Sequence, residues 1–256
     1  MLPTKKTEQR ISLDGLILYL YGPPKVGKTT FVANLETKGG KVLFLDCEGG
    51  TLRIEEECFD VQIRTWTEFE EAVKALHKDP DHGFTVICVD SMTELRDQLV
   101  RHMCDLKGAK DPSDPKFGGR QGWGKVSAAW KNALNLLMAG QWASVFLDHA
   151  TQVTVDQNGN RVADPDKYKG PTRVIQEPTL SASARFIIAK RSDIMLRAFK
   201  DPQGNRVATT AELDGMGGQR GGILPDSFQL DGKQFVAFFR DAYMKRKQER
   251  AQGSEA

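Results

Sequence analysis

The chain has 256 residues, 39% hydrophobic and 27% charged, with 36 Lys+Arg against 34 Asp+Glu and a formal net charge of +2. That balance excludes a bulk polycation, so any nucleic-acid contact has to be local, and the composition excludes a disordered or membrane-built chain. One large domain in a reducing cytoplasm is expected. The four cysteines (Cys47, Cys58, Cys88, Cys104) form no C-x-x-C pair, and with the four histidines they show no metal-ligand pattern. No leader peptide and no bilayer-spanning run is read.

Residues 1–15 read as a polar extension, ending in the turn Asp14-Gly15. An apolar β-type run, LILYLY over 16–21, leads into Gly22-Pro23-Pro24-Lys25-Val26-Gly27-Lys28-Thr29, which fits G-x-x-x-x-G-K-[ST]. Glycines let the backbone curl so that N–H groups face phosphate oxygens. Lys28 is expected on the β/γ-phosphates and Thr29 on Mg²⁺, with 22–30 including Thr30 as the cradle. Pro23 and Pro24 have no N–H to give, so the donors are expected from 25–30. A helix is expected from Lys28 to about Glu36, stopped by Lys38-Gly39-Gly40.

A second buried strand is expected at 41–46, followed by Cys47-Glu48-Gly49-Gly50. Thr67-x-x-Glu70 reads as a capping box, with Phe69, Val73 and Leu76 on one helical face behind it. A third strand, 84–89, closes on Asp90-Ser91, and a helix is expected over 92–106. Asp90 reads either as a carboxylate for Mg²⁺ or as a helix N-cap, a role open to Ser91 too; the phosphate loop favours the metal. Glu48 reads as a water-activating acid or an ordinary loop acid.

Residues 107–125 hold two prolines and five glycines and read as a long loop. It interleaves Lys116, Arg120 and Lys125 with Phe117 and Trp123, a mixture suited to base stacking beside phosphate neutralisation, or else to a solvated loop. A helix is expected over 126–139, with Val126, Trp130, Ala133, Leu134 and Leu137 on its apolar stripe. A fourth strand, 144–147, ends in Asp148-His149. A second polar stretch, 151–184, carries Lys167, Lys169 and Arg173 among nearly as many acids, with Asn158-Gly159-Asn160 as a hairpin tip. A strand pair is expected from 184–200 and 206–213, turned by Asp201-Pro202-Gln203-Gly204. The end, 232–250, reads as a helix with a charged tail. Alternating strand and helix signals give an α/β fold with a mostly parallel sheet and antiparallel strands added on the C-terminal side.

With the phosphate loop, LFLDCEGG, VICVDS and VFLDHA in this order, the chain resembles the RecA-like P-loop ATPases. It is most similar to their phage-type branch, the AAA_24-like nucleotide-binding proteins and the Sak-type single-strand annealing recombinases. The resemblance implies a RecA-like ATPase domain over 16–231 and a separate C-terminal helix over 232–256. It implies ATP with Mg²⁺, Glu48 as water activator, Asp90 on the metal and His149 as γ-phosphate sensor. It implies single-stranded DNA on the loops at 107–125 and 151–184. It also implies a homo-oligomer, ring or filament, with ATP between subunits and Arg220 acting on a neighbour's ATP; the preceding basic position of that element is Gly218 here. A single-strand binding protein is a further partner so implied, in a phage or prophage setting. Two other functions stay open: a nucleotide switch acting on a protein, and a P-loop kinase, which would need an acceptor pocket under an Arg-rich lid.

Overall fold

The computed structural model describes residues 12–35, 40–211 and 215–253. The expected helix end at Glu36, its stop at Lys38-Gly39, and Leu213 of the strand expected over 206–213 lie outside the described residues.

In chain order the elements are β1 (Ile17–Gly22), α1 (Lys28–Ala33), β2 (Lys41–Asp46), β3 (Phe59–Gln62), α2 (Trp66–Lys78), β4 (Phe84–Asp90), α3 (Met92–Asp105), α4 (Gly122–Leu137), β5 (Ala143–Asp156), β6 (Thr172–Pro178), α5 (Ala182–Ala189), β7 (Ile194–Lys200), β8 (Arg206–Thr209), β9 (Gly218–Gln219), β10 (Ser227–Gln229) and α6 (Gly232–Gly253). One sheet runs β10-β8-β7-β1-β5-β4-β2-β3, with β6 on β5 and β9 on β7. From β7 to β3 every pair is parallel; β8, β9, β10 and β6 join antiparallel. This is the expected α/β architecture: a mostly parallel sheet flanked by helices, with antiparallel strands on the C-terminal side.

The central strands are apolar on consecutive residues because both faces are covered. Tyr19, Leu45, Ile87, Val89 and Phe146 face α2, α3, α4 and α5, packing on Phe69, Leu95, Trp130 and Ile188. Leu18, Leu20, Phe44, Cys88 and Leu147 face the other way, onto Phe31 of α1 and Phe235 and Phe239 of α6. Trp130, Phe31 and Phe235 are fully enclosed, each worth roughly 2–3 kcal/mol of transfer free energy. The expected stripes on α2 and α4 hold: Phe69, Val73 and Leu76, and Val126, Trp130, Leu134 and Leu137, are buried, and Ala133 is half-buried. All four cysteines are free thiols; Cys88 and Cys104 are buried, Cys47 and Cys58 half-buried.

Four expectations are corrected. The capping box is Thr65 with Glu68: Glu68 N donates to Thr65 Oγ1, and the Glu68 carboxylate accepts from Thr65 N. Glu70 instead accepts from Trp66 Nε1 at 3.0 Å. The helix expected from 126 begins at Gly122, so the long loop is shorter than 107–125. Residues 182–189 are helix rather than strand, because their buried side chains, Ala184 and Ile188, recur every four residues. The fourth strand does not stop at 147. It runs on to Asp156 and pairs with β6 from Ala150↔Pro178 to Asp156↔Thr172, so 150–178 is a two-stranded arm with a tip at 157–171. Gly159 at the near end of that tip has φ 82°, as a tight turn there requires.

Candidate nucleotide site

The site is assembled at the carboxyl ends of β1, β2, β4 and β5, where open α/β sheets place their ligands. After β1 the chain turns through Gly22 to Gly27 and enters α1. A β-carbon on Gly22 would lie 2.4 Å from the Ala198 carbonyl oxygen of β7, so no larger residue fits. Gly27 has φ 100°, and Lys25 holds a left-handed φ of 62° that costs a non-glycine residue energy. Val26 is buried in the core, anchoring the loop from beneath, while Pro24 and Lys25 are exposed and Pro23 and Thr30 are half-buried.

Lys28 is buried, and its Nζ donates to the Gly22 and Pro23 carbonyls at 2.9 and 3.1 Å. The ammonium therefore lies across the loop it is expected to serve. Burial lowers its pKa, while Asp90, Asp148 and Glu48 oppose that shift.

Thr29 Oγ1 donates to Asp90 Oδ2 at 2.7 Å. Two hard oxygen donors at this separation suit Mg²⁺, which keeps most of its ligands as water and phosphate oxygen. Gly50 walls the same space: a β-carbon there would stand 3.5 Å from Asp90 Oδ2 and 3.7 Å from Thr29 Oγ1. Burial pushes the Asp90 carboxyl up, against the Thr29 hydrogen bond and with Asp46 and Glu48 adding to the rise; a divalent cation would relieve it. Among the described residues no group of three or more His, Cys, Asp or Glu could hold a metal ion.

Neither Asp90 nor Ser91 caps α3 with its side chain. Ser91 Oγ donates to Glu48 Oε1 instead. Glu48 Oε2 also meets His149 Nε2 at 2.9 Å, so the expected water activator and γ-phosphate sensor are hydrogen-bonded to each other, an ion pair whenever the imidazole is protonated. The hydrogen bond to His149 holds the Glu48 carboxyl below its usual range, with burial opposing. The same bond raises the His149 imidazole. His149 Nδ1 is buried with no partner among the described residues.

Two further acids support this arrangement: Asp46, expected from its strand-end position to converge with Glu48, Asp90 and His149, and Asp148, to which the sequence reading gives no role. Asp46 is buried and accepts from the backbone N–H of Glu48, Gly49, Gly50 and Thr51, from Thr51 Oγ1 and from Gln62 Nε2. It holds the turn that carries Glu48. Asp148 is fully buried and accepts from Tyr19 Oη, Thr93 Oγ1, Leu180 N and His149 N, fixing the backbone of His149. Each had the same signal: an acid closing an apolar strand.

Arg220 is remote. It follows β9, which pairs with the start of β7 at Ile194 and Met195, so it stands at the amino ends of the parallel strands. A six-residue strand puts the phosphate loop roughly 20 Å away. Arg220 pairs with Asp193 at 3.3 Å and donates to the Lys190 carbonyl at 3.1 Å. It borders a groove of about 570 Å³ with Asp14, Leu16, Ile223 and Phe239. It cannot reach its own chain's triphosphate.

The expected DNA residues divide. Lys116, Arg120 and Lys169 are exposed. Trp123 is half exposed at 50%, its Nε1 donating to Ser113 Oγ. Lys167 is exposed and paired with Asp164 at 2.7 Å. Arg173 is exposed on β6, opposite Val155. Phe117 is a correction: at 4% exposure it packs in the core, so its ring is not presented to a base. Lys125 covers that ring at 6.0 Å and donates to the Phe117 carbonyl, so it closes the loop rather than standing free.

A family model described as an AAA domain, AAA_24, matches residues 14–219. The chain belongs to the AAA_24 family. The AAA_24 match runs from the turn before β1 to Gln219 of β9, and so contains Lys28, Thr29, Glu48, Asp90 and His149. No curated protein matches the chain. Among solved structures, the crystal structure of the RadB recombinase is similar at 18% identity, covering 86% of this chain and 89% of that one with a TM-score of 0.45. Among the described residues no helix is long and apolar enough to cross a membrane.

Proposed function

We propose that this AAA_24 protein is a Mg²⁺-dependent ATPase that binds single-stranded DNA and serves strand annealing or homologous recombination of the phage type. The observation that carries the ATPase reading is the convergence of Lys28, the Thr29–Asp90 pair and the Glu48–His149 pair on one phosphate loop. Lys28 leaves the loop carbonyls for the β/γ-phosphates. Thr29 and Asp90 hold the metal. Glu48, released by His149, polarises the attacking water. Arg220, remote from its own site, acts on the ATP of a neighbouring copy, in a ring or filament.

The DNA reading is supported by β5. Its residue His149 is registered with Gly22 of the phosphate loop, and seven residues later the same strand ends at the tip of the arm. The exposed cations at 107–121, with Trp123, form the second surface. A protein client is the alternative reading, favoured by exposed Val174 and Tyr168 on an arm of nearly balanced charge.

Fluorescence anisotropy with a labelled single-stranded oligonucleotide, with and without ATP, decides between them. A Lys116/Arg120/Trp123→Ala variant is expected to bind about tenfold more weakly or worse, since one stacked base is worth roughly 1–3 kcal/mol. Wild-type affinity should drop steeply with salt. A variant that binds like wild type removes these residues from the interface. No binding by wild type at low salt, together with turnover indifferent to DNA, leaves the protein client.

A further inference from the structure

We propose that Arg206 is a nucleotide-contacting residue, supplied in cis by the β7–β8 hairpin and directed at the α/β-phosphates. The inference rests on the phosphate-loop reading above. Arg206 opens β8 and pairs with Lys200 at the carboxyl end of β7, the edge at which the phosphate loop stands. β7 is the neighbour of β1 on the side away from β5 and β4. The hairpin thus flanks the loop opposite Glu48, Asp90 and His149.

Contact with the loop is close. A β-carbon built on Gly27 would lie 2.9 Å from Arg206 Nη1 and 3.3 Å from its Cδ. The residue is exposed, and no hydrogen bond or ion pair of its guanidinium occurs among the described residues. The acid in the same turn, Asp201, is occupied by Asn205, through its N–H at 2.8 Å and its Nδ2 at 2.9 Å. A guanidinium carries five donors and does not give up its charge at any ordinary pH. Here those donors rest against a phosphate-binding loop with no acceptor supplied by the described protein.

The polarity of the nucleotide decides which acceptor arrives. Thr29, Asp90, Glu48 and His149 claim the γ end, on the β4–β5 side. The α/β end is left to the flank where Arg206 stands. A contact there is made equally by a nucleoside di- and triphosphate, so Arg206 sets affinity for substrate and product together rather than selecting between them.

Calorimetric titration of the full chain with Mg·ADP, Mg·ATP and Mg-tripolyphosphate tests this, with Lys28→Ala as reference. Arg206→Ala is expected to weaken all three by about 10–100-fold, the range for a hydrogen bond to a charged group. Arg206→Lys should recover part of the loss, because it keeps the charge but not the planar fork. The nucleotide-free melting temperature should stay at the wild-type value, since the side chain is exposed. Wild-type affinities in Arg206→Ala overturn the proposal while leaving the phosphate loop intact. Weakening of ADP and ATP with tripolyphosphate unchanged overturns it too, moving the contact to the nucleoside. Failure of the wild type to bind any of the three, like Lys28→Ala, sinks the phosphate-loop reading together with this one.

Discussion

Replacing Glu48 by glutamine is expected to lower ATP turnover about 10²–10⁴-fold, the range attributed to a positioned general base, while Mg·ADP affinity is kept. The amide preserves the shape of the side chain and its hydrogen bond from Ser91 but cannot take a proton from water. Steady-state phosphate release set against ADP titration separates the two effects. A Glu48→Gln enzyme that turns over like wild type removes Glu48 from the chemistry.

The partner of Glu48 adds a pH signature. The imidazole of His149 is raised by its bond to Glu48, so the ion pair is fully formed below the ordinary imidazole value and is lost as pH climbs through the raised one. The carboxylate of Glu48 is held low by the same bond, so the pair is also lost as pH falls through that lowered value. Between those limits the base is occupied. Turnover is therefore expected to rise as pH passes upward through the His149 titration, and His149→Ala should erase that limb. An identical rise in wild type and His149→Ala shows that the pair does not govern the base.

The second large effect belongs to Asp46. Asp46→Ala is expected to destabilise the fold by roughly 3 kcal/mol, because several buried donors lose one acceptor at once. Burial pushes the Asp46 carboxyl up, but the hydrogen bonds of Thr51, Glu48 and Gln62 more than offset it, so the group is charged at neutral pH. Asp46→Asn keeps one good acceptor and should fall between. Urea midpoints measure the stability. Phosphate release should decline with it, since the backbone N–H groups of Glu48 and Gly49 are what Asp46 holds. Wild-type turnover in Asp46→Ala would separate the turn from the position of the base.

The residues at strand ends were legible because their signal is local. Gly22 to Thr29, Glu48, Asp90 and His149 each follow an apolar run, and a parallel sheet brings such ends together. The misreadings come from places where the local pattern admits two answers. Two T-x-x-E frames overlap at 65–70, and only packing selects Thr65 with Glu68. A short apolar run at 184–189 is as good a strand as a helix until its neighbours are known. Residues 150–156 are too polar to announce a strand, yet pairing with β6 makes them one. Phe117 looked like a stacking ring because its neighbours are charged, but its burial depends on α4 starting four residues early. Arg206 carried no signal at all: its place depends on a hairpin folding back against Gly27.

The continuity of β5 has a consequence for how such a protein could diversify. Up to His149 the strand is locked into the parallel register, Tyr21↔Asp148 and Gly22↔His149. Beyond it the backbone pairs with β6 and, near its end, with residues 160–162 through the Val155↔Arg161 bridge. An arm with a different tip could be grafted at 157–171 while the anchors nearest the phosphate loop stay in place: Tyr21 Oη on the Gln176 carbonyl and Leu180 N on Asp148. Side chains alternate along a strand, so insertions there of an even number of residues would preserve which side chains share each face of the arm, and odd ones would invert it. The parallel half of β5 at the phosphate loop and its antiparallel half in the arm are therefore separable, joined at His149.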